Sequence, residues 1–330
     1  MPLFEEILGR FKDARVCVVG DIVADVYVFG RPYRLSREAP VIVVKYEGER
    51  ILPGSAGNTV CNLASLGAKV YPLGFVGNDR FGRSIVEYLS GFENVNLEGL
   101  IECDCGTITK TRILAGDTHT SKQQVIRIDR DDRFYITDKA RRTFMERLEG
   151  VLGKVDAICV SDYGYRTVDT EVADFLRKGK SGKITVGDSR YSLKELHGFT
   201  ILTPNETEAR ELASMIGCGI GEDLESMGRE ILAALRLEAL LITRGNKGMT
   251  LFLRDGAVHH IPATRQDEVT DVTGAGDTVS AVCTLCLASG ADFLTAAKIS
   301  NVAAGIVVMK RGTATVSREE LLREIERWGG

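Results

Sequence analysis

Asp271-Val272-Thr273-Gly274-Ala275-Gly276-Asp277-Thr278 decides how this chain is read. The octet follows a polar, turn-like stretch and opens a long apolar segment, 279–287, rich in Ala, Leu and Val. That order predicts a loop feeding a helix N-terminus, with Gly274 and Gly276 letting the backbone turn tightly against a ligand. A helix start offers N–H donors and a positive dipole end, which suit a phosphate or a developing oxyanion. Asp277 sits in the same turn, and an acid beside an anion site needs its own reason. A general base that takes the proton of a hydroxyl attacking a phosphoryl group supplies one. The plainer alternative is an acidic cap on an ordinary helix.

Working outward, four further stretches stand in order around the octet. Val16-Cys17-Val18-Val19-Gly20-Asp21, with Asp25, reads as a buried strand ending on acids. Pro53-Gly54-Ser55-Ala56-Gly57-Asn58 reads as a Gly-rich turn entering a helix over 59–66. Thr203-Pro204-Asn205-Glu206-Thr207-Glu208 places Asn205 and Glu208 on one face of a first helical turn. Thr243-Arg244-Gly245, with Gly248, reads as a strand end and a turn. Together these motifs resemble the pfkB/ribokinase family of carbohydrate kinases, over about 15–317.

The resemblance implies an α/β, ribokinase-like fold: a mostly parallel central sheet flanked by helices, with a small inserted β-sheet lid. It implies ATP and Mg²⁺ as co-substrate and metal. It makes Asp277 the base and the turn of Gly274, Ala275 and Gly276 the anion hole. Asp21, Asp25, Gly54, Asn58 and Asp162 fall on the sugar side. Arg190, Asn205, Thr243, Arg244, Gly245, Gly248 and Asn301 fall on the nucleotide side, with Gly274 and Gly276. Asn205 and Glu208 are expected to act on Mg²⁺ through water, and Asp271 on a monovalent cation such as K⁺. A capping box on the helix is the structural alternative for Asn205 and Glu208.

A finer likeness lies in Arg34-Leu35-Ser36-Arg37-Glu38-Ala39-Pro40-Val41, Thr109-Lys110-Thr111-Arg112, 123–129 and Ser161-Asp162-Tyr163. These are similar to the branch of the family that phosphorylates the anomeric hydroxyl of D-glycero-D-manno-heptose 7-phosphate. An acceptor that already carries phosphate needs a cationic pocket, expected from Lys110, Arg112 and Arg127. Lys110 and Arg112 are two apart, so they share one strand face. Three positions depart from the family pattern: Ser55 replaces a second glycine, Ser189 a proline, and Tyr165 a lysine, with Arg166 next to it as a substitute charge. Other acceptors, namely another sugar, a sugar phosphate or a nucleoside, stay open, as does a non-catalytic binding regulator. Many enzymes of this branch are fused to a nucleotidyltransferase domain; with the chain ending at Gly330, that activity is expected to lie elsewhere.

Short apolar runs over 15–19, 70–76, 157–160, 184–186, 200–202 and 239–243 read as buried strands. Segments 80–89, 139–152, 169–178, 206–215 and 224–235 read as helices between them. Such alternation implies a parallel sheet covered on both faces, with ligands at the carboxyl ends of its strands. The whole chain, 1–330, is expected to form one kinase domain. Segments 27–48 and 95–130 break the alternation and read as the inserted β-lid, through which the resemblance implies a homodimer.

Composition narrows the classes further. Hydrophobic residues make up 44% and charged residues 27% of 330 residues, as in an ordinary globular protein. No apolar run approaches the roughly 20 residues that span a bilayer, and 4–11 lacks the pattern of a signal peptide. A cytoplasmic enzyme with no membrane partner is expected. Net charge is −4 without a Lys/Arg block, which argues against nucleic acid. Most of the eight cysteines sit in apolar runs and read as small core residues rather than zinc ligands. There is no Walker Gly-x-x-x-x-Gly-Lys and no Gly-x-Gly-x-x-Gly after 16–19.

Overall fold

The computed structural model describes residues 2–116, 122–218, 223–264 and 270–328. In chain order, helix α1 (Pro2–Arg10) precedes strand β1 (Arg15–Gly20) and two long arms, β2 (Ile22–Leu35) and β3 (Ile42–Ser55). Then come α2 (Ala56–Ser65), β4 (Lys69–Gly77), α3 (Arg80–Ser90), β5 (Leu100–Cys103), β6 (Thr109–Ala115) and β7 (Gln123–Arg130). The middle comprises α4 (Asp138–Leu152), β8 (Ala157–Asp162), α5 (Thr170–Gly179), β9 (Ile184–Ser189), β10 (Ile201–Leu202) and α6 (Glu206–Met215). The chain closes with α7 (Leu224–Ala234), β11 (Ala239–Thr243), β12 (Met249–Leu253), β13 (Val258–Ile261), α8 (Ala275–Ala288), α9 (Phe293–Val307) and α10 (Arg318–Trp328).

Nine strands form the large sheet in the order β13-β12-β11-β10-β9-β8-β1-β4-β5. Its pairings are parallel except for the β11–β12 and β12–β13 hairpins. Strand β1 alternates its side chains between two cores. Val16 and Val18 join the core that contains α2, α8 and α9, whereas Cys17 and Val19 join the core against α4 and α5. Cys17, Cys61, Cys159, Cys283 and Cys286 are all buried in these layers. The chain leaves β1 towards β4 on one side and returns to β8 on the other. That makes the β1–β8 boundary the switch point where two loops diverge and a cleft opens.

A second sheet, β3-β2-β6-β7, is the lid. Its boundaries differ from the sequence reading of 27–48 and 95–130. Arm β2 begins at Ile22 and β3 continues to Ser55, so Pro53 and Gly54 are strand residues rather than a turn. Strand β5 pairs with β4 in the large sheet, so the lid portion of the later segment starts only at Thr109. The base of β2 is buried on both faces, and a run without polar alternation hides where one sheet gives way to the other.

Ser55 takes a backbone conformation with φ 54° and ψ −128°, where β3 hands over directly to α2. Gly54 beside it is required for space: a Cβ there would stand 2.5 Å from Asp25 Oδ2.

Candidate active site

Helices α3 to α7 and α9 each open on an Asp, Asn or Thr side chain that accepts first-turn amides. Helix α8 does not. It starts from Gly274 in the left-handed region, φ 79°, with no side-chain cap. Ala275 N donates to Val272 O at 3.2 Å, and Thr278 N is the first to bond back, to Gly274 O at 3.0 Å. The first-turn donors that remain are those of Gly276 and Asp277, at the positive end of the helix. The expected role of Ala275 N–H in an anion hole is therefore taken by the turn itself.

Asp277 is 2% exposed, yet each of its carboxylate oxygens has a donor. Asn58 Nδ2 donates to Oδ2 at 3.1 Å and Tyr163 Oη to Oδ1 at 3.0 Å. Asn62, one turn along α2, donates to Asn58 Oδ1 at 3.2 Å and so fixes which way that amide points. Burial raises the Asp277 pKa to about 7, although the bonds from Asn58 and Tyr163 oppose the shift. A carboxylate poised near neutrality beside helix N–H groups has the properties of a general base.

The acids named from sequence divide into two kinds. Asp25 is an ion-pair acid: Arg112 Nη1 lies 2.6 Å from Oδ1, and Thr313 Oγ1 donates to Oδ2 at 2.5 Å. Asp21 instead accepts three backbone amides, from Tyr163 at 2.7 Å, Tyr165 at 3.1 Å and Thr167 at 3.2 Å. Its carboxylate is the anchor of the loop after β8. Asp162 accepts from Gly164 N and from Ser189 Oγ, and burial together with the charge of Asp21 raises its pKa to about 6. These contacts place Asp21 and Asp162 as supports of loop 163–167, whereas sequence reasoning had them touching sugar hydroxyls.

The lid cations also separate. Arg112 is committed to Asp25. Lys110 Nζ stands 4.6 Å from the Tyr163 ring centre and 5.9 Å from that of Tyr165. Burial lowers its pKa, against the attraction of Asp25 and Asp277. Arg127 is half-exposed and pairs with Asp129 two residues along β7.

A cleft of about 680 Å³ is lined by Arg190, Tyr191, Asn205, Glu208, Thr243, Arg244 and Gly245, among others. Asn205 and Glu208 form a full capping box on α6. Asn205 Oδ1 accepts from Thr207 and Glu208 amides at 2.9 Å, and Glu208 Oε2 accepts from Asn205 N at 2.9 Å. Burial raises the Glu208 pKa, offset in part by the Asn205 amide and Arg190. Asp188 is raised further, by burial and then by Glu208, Asp277 and Asp162. Its Oδ2 lies 3.6 Å from where a Cβ on Gly276 would be.

Gly248 (φ 84°) presses against the backbone at Ile261, and Asn301 Nδ2 donates to Pro262 O at 2.7 Å, so these two border the β12–β13 side. Asp271 accepts from Thr273 N and Gly312 N at 2.9 Å. Burial pushes its carboxyl up, but those bonds outweigh it and hold the pKa below the usual carboxylate value.

Sequence reasoning missed Tyr163 and Asp188 as individual site residues, although Tyr163 closes the quoted Ser161-Asp162-Tyr163 and Asp188 immediately precedes Ser189. The usable signal was their position, each just beyond or at the end of a parallel strand facing the switch point.

A ribokinase-like sheet with an acid-bearing helix start at its switch point and a β-lid across it defines an ATP-dependent sugar kinase. The chain belongs to the pfkB family of carbohydrate kinases, whose family model matches residues 13–320. It is 41% identical over 323 residues to the Bifunctional protein HldE of Geobacter sulfurreducens, covering 96% of this chain and 64% of that protein. With the Bifunctional protein HldE of Geotalea uraniireducens it shares 39% identity over 327 residues, 97% of this chain and 65% of the relative. The chain thus spans about two-thirds of the length of these relatives. Among solved structures, phosphofructokinase-2 from Escherichia coli in complex with substrates and products superposes with a TM-score of 0.76 at 14% identity, covering 96% and 100% of the two chains. Ribokinase of Arabidopsis thaliana complexed with ribose and ATP gives 0.72 at 21%, covering 95% and 98%. At such identities these two establish the fold.

Proposed function

We propose that this kinase transfers the γ-phosphate of ATP to the anomeric hydroxyl of D-glycero-D-manno-heptose 7-phosphate, giving the 1,7-bisphosphate and ADP. The observation that carries the transfer chemistry is the buried Asp277 carboxylate at the uncapped start of α8, with its pKa near 7. In this reading Asp277 removes the proton of the anomeric hydroxyl, and the oxygen attacks the γ-phosphorus as the bond to ADP breaks. The Gly276 and Asp277 amides meet the charge on the transferring group. Asp25, Asn58 and Gly54 border the sugar, while Asp21 and Asp162 shape the loop beneath it. ATP occupies the cleft of Arg190, Asn205, Thr243, Arg244 and Gly245, with Gly248 and Asn301 at its margin.

Mg²⁺ fits the donors present. Asp188 and Glu208 are hard oxygen ligands, both raised first by burial and Asp188 also by the negative charge of Glu208 and Asp277, and Asn205 adjoins Glu208 in the capping box. One or two carboxylates with substrate phosphates and water suffice for this ion. When bound it neutralises phosphate charge. Asp271, whose two oxygens each accept one backbone amide and keep further lone pairs, is the residue that would help hold potassium.

Three things support the acceptor: the motifs of the heptose-phosphate branch, the likeness to the HldE proteins, and the lid cations Lys110 and Arg127. Tyr165, standing where that branch carries Lys, favours a second reading in which the acceptor is a different sugar or sugar phosphate. The reading further includes a cytoplasmic homodimer joined through the lid, where Val41, Ile42, Ile126 and Ile128 are exposed. Following ADP release with a panel of phosphorylated and unphosphorylated sugars tests the acceptor. Preference for heptose 7-phosphate is expected, and equal efficiency with the unphosphorylated sugar would contradict it.

A further inference from the structure

We propose that Tyr163 is a positioning residue for the base: its hydroxyl orients Asp277 and links it, through loop 163–167, to the anchor at Asp21. The inference rests on Asp277 acting as proposed above and adds a residue to that site. Asp277 needs one oxygen aimed at the acceptor hydroxyl, and a carboxylate at the start of a helix can rotate about two torsions. Two donors on opposite oxygens remove that freedom. Asn58 comes from α2, and Tyr163, at 3.0 Å, from the loop after β8.

Tyr163 is itself held at both ends. Its amide donates to Asp21 Oδ2 at 2.7 Å, with the amides of Tyr165 and Thr167 on the same carboxylate. Lys110 Nζ lies 4.6 Å from the centre of its ring, so the lid rests on the residue that holds the base. This explains why Asp21, buried and saturated by amides, sits at the end of β1: it fixes the loop that carries the phenol.

Among the described residues, the titratable groups facing Asp277 are few. Asp25 and Lys110 reach it from the lid, and Asp188 from the end of β9, with Cys159 of β8 beneath. Against these, the Tyr163 bond favours the ionised carboxylate, and burial opposes it. Removing the hydroxyl must therefore raise the pH at which the base becomes active.

The test is Tyr163→Phe, which keeps the ring beneath Lys110. With ATP and D-glycero-D-manno-heptose 7-phosphate, kcat is expected to fall about ten- to a hundredfold, as for loss of a hydrogen bond to a charged group. KM for ATP should hold, and the acid limb of the kcat/KM profile should move to higher pH. Replacing Tyr163 by 3-fluorotyrosine, a stronger donor of nearly the same shape, should move that limb to lower pH. It also serves if Tyr163→Phe fails to fold. An acid limb unmoved by the folded variants, or a loss confined to KM, overturns the proposal. Asp277→Asn in the same assay separates the two levels. If it retains turnover, the base assignment itself fails; if it is inactive while the Tyr163 variants show no shift, only the positioning role fails.

Discussion

Arg112 and Asp25 form a buried ion pair, Nη1 to Oδ1 at 2.6 Å, between neighbouring strands of the lid base. Each side chain is less than a tenth exposed, so neither charge can turn to water when its partner is lost. This separates Arg112 from Arg127, its cross-strand neighbour, which is half-exposed and pairs with Asp129.

The two arginines should therefore fail differently. Arg112→Ala leaves Asp25 charged and unpaired in the interior and should cost about 3–5 kcal/mol of stability, read as a lower denaturant midpoint. Arg127→Ala should leave stability within about 1 kcal/mol but raise KM for the phosphosugar about tenfold or more, with KM for ATP unchanged. Steady-state kinetics beside urea melts distinguish these patterns; a KM unchanged in Arg127→Ala would remove that residue from the phosphate pocket.

Ser55 occupies, with φ 54°, a backbone region that side chains rarely adopt. Such a residue costs about 1–3 kcal/mol, against which glycine loses about 0.5–1 kcal/mol through its freer unfolded chain. Ser55→Gly is expected to stabilise the protein by about 1 kcal/mol. A thermal melt showing no gain would mean that the Ser55 side chain repays its strain.

The pH behaviour follows from Asp277. A general base must be ionised, so kcat/KM should fall as pH drops below about 7, with Asp277 as the titrating group. For stability the sign is opposite. A carboxyl whose pKa rises from 3.8 unfolded to about 7 folded binds an extra proton in the native state. Its contribution is present below about pH 4 and lost as pH rises through about 7. Asp277→Asn escapes that penalty. The Asn58 amide still meets an oxygen, and the Tyr163 hydroxyl can accept from the new amide. Its melting advantage over the wild type should grow from pH 5 to pH 8; a constant difference would contradict the raised pKa.

Six strands of the large sheet, the helix start after Gly274 and the place of Asp277 in its first turn were legible in the sequence, because each follows from a local pattern: apolar runs, paired glycines, an acid in a first turn. What Asp21 and Asp162 do was not. An Asp just past a strand looks the same whether it meets a ligand or three amides of a distant loop, and only the tertiary path of 163–167 decides. The lid base was illegible for a related reason. Ile22 to Tyr27 is buried on both faces and apolar apart from Asp25 and the Tyr27 hydroxyl, so no regular alternation marks its start. Tyr163 lay in view as a strand-end aromatic, but its reach to Asp277 spans 114 positions of sequence.

The most direct test of the account is the turnover of Asp277→Asn, measured with saturating ATP and sugar phosphate alongside nucleotide binding by titration calorimetry. The account predicts a folded protein that binds nucleotide as the wild type does, with kcat lower by about 10² to 10⁴-fold. Turnover within a few fold of wild type, with binding intact, would show that Asp277 does not take the proton.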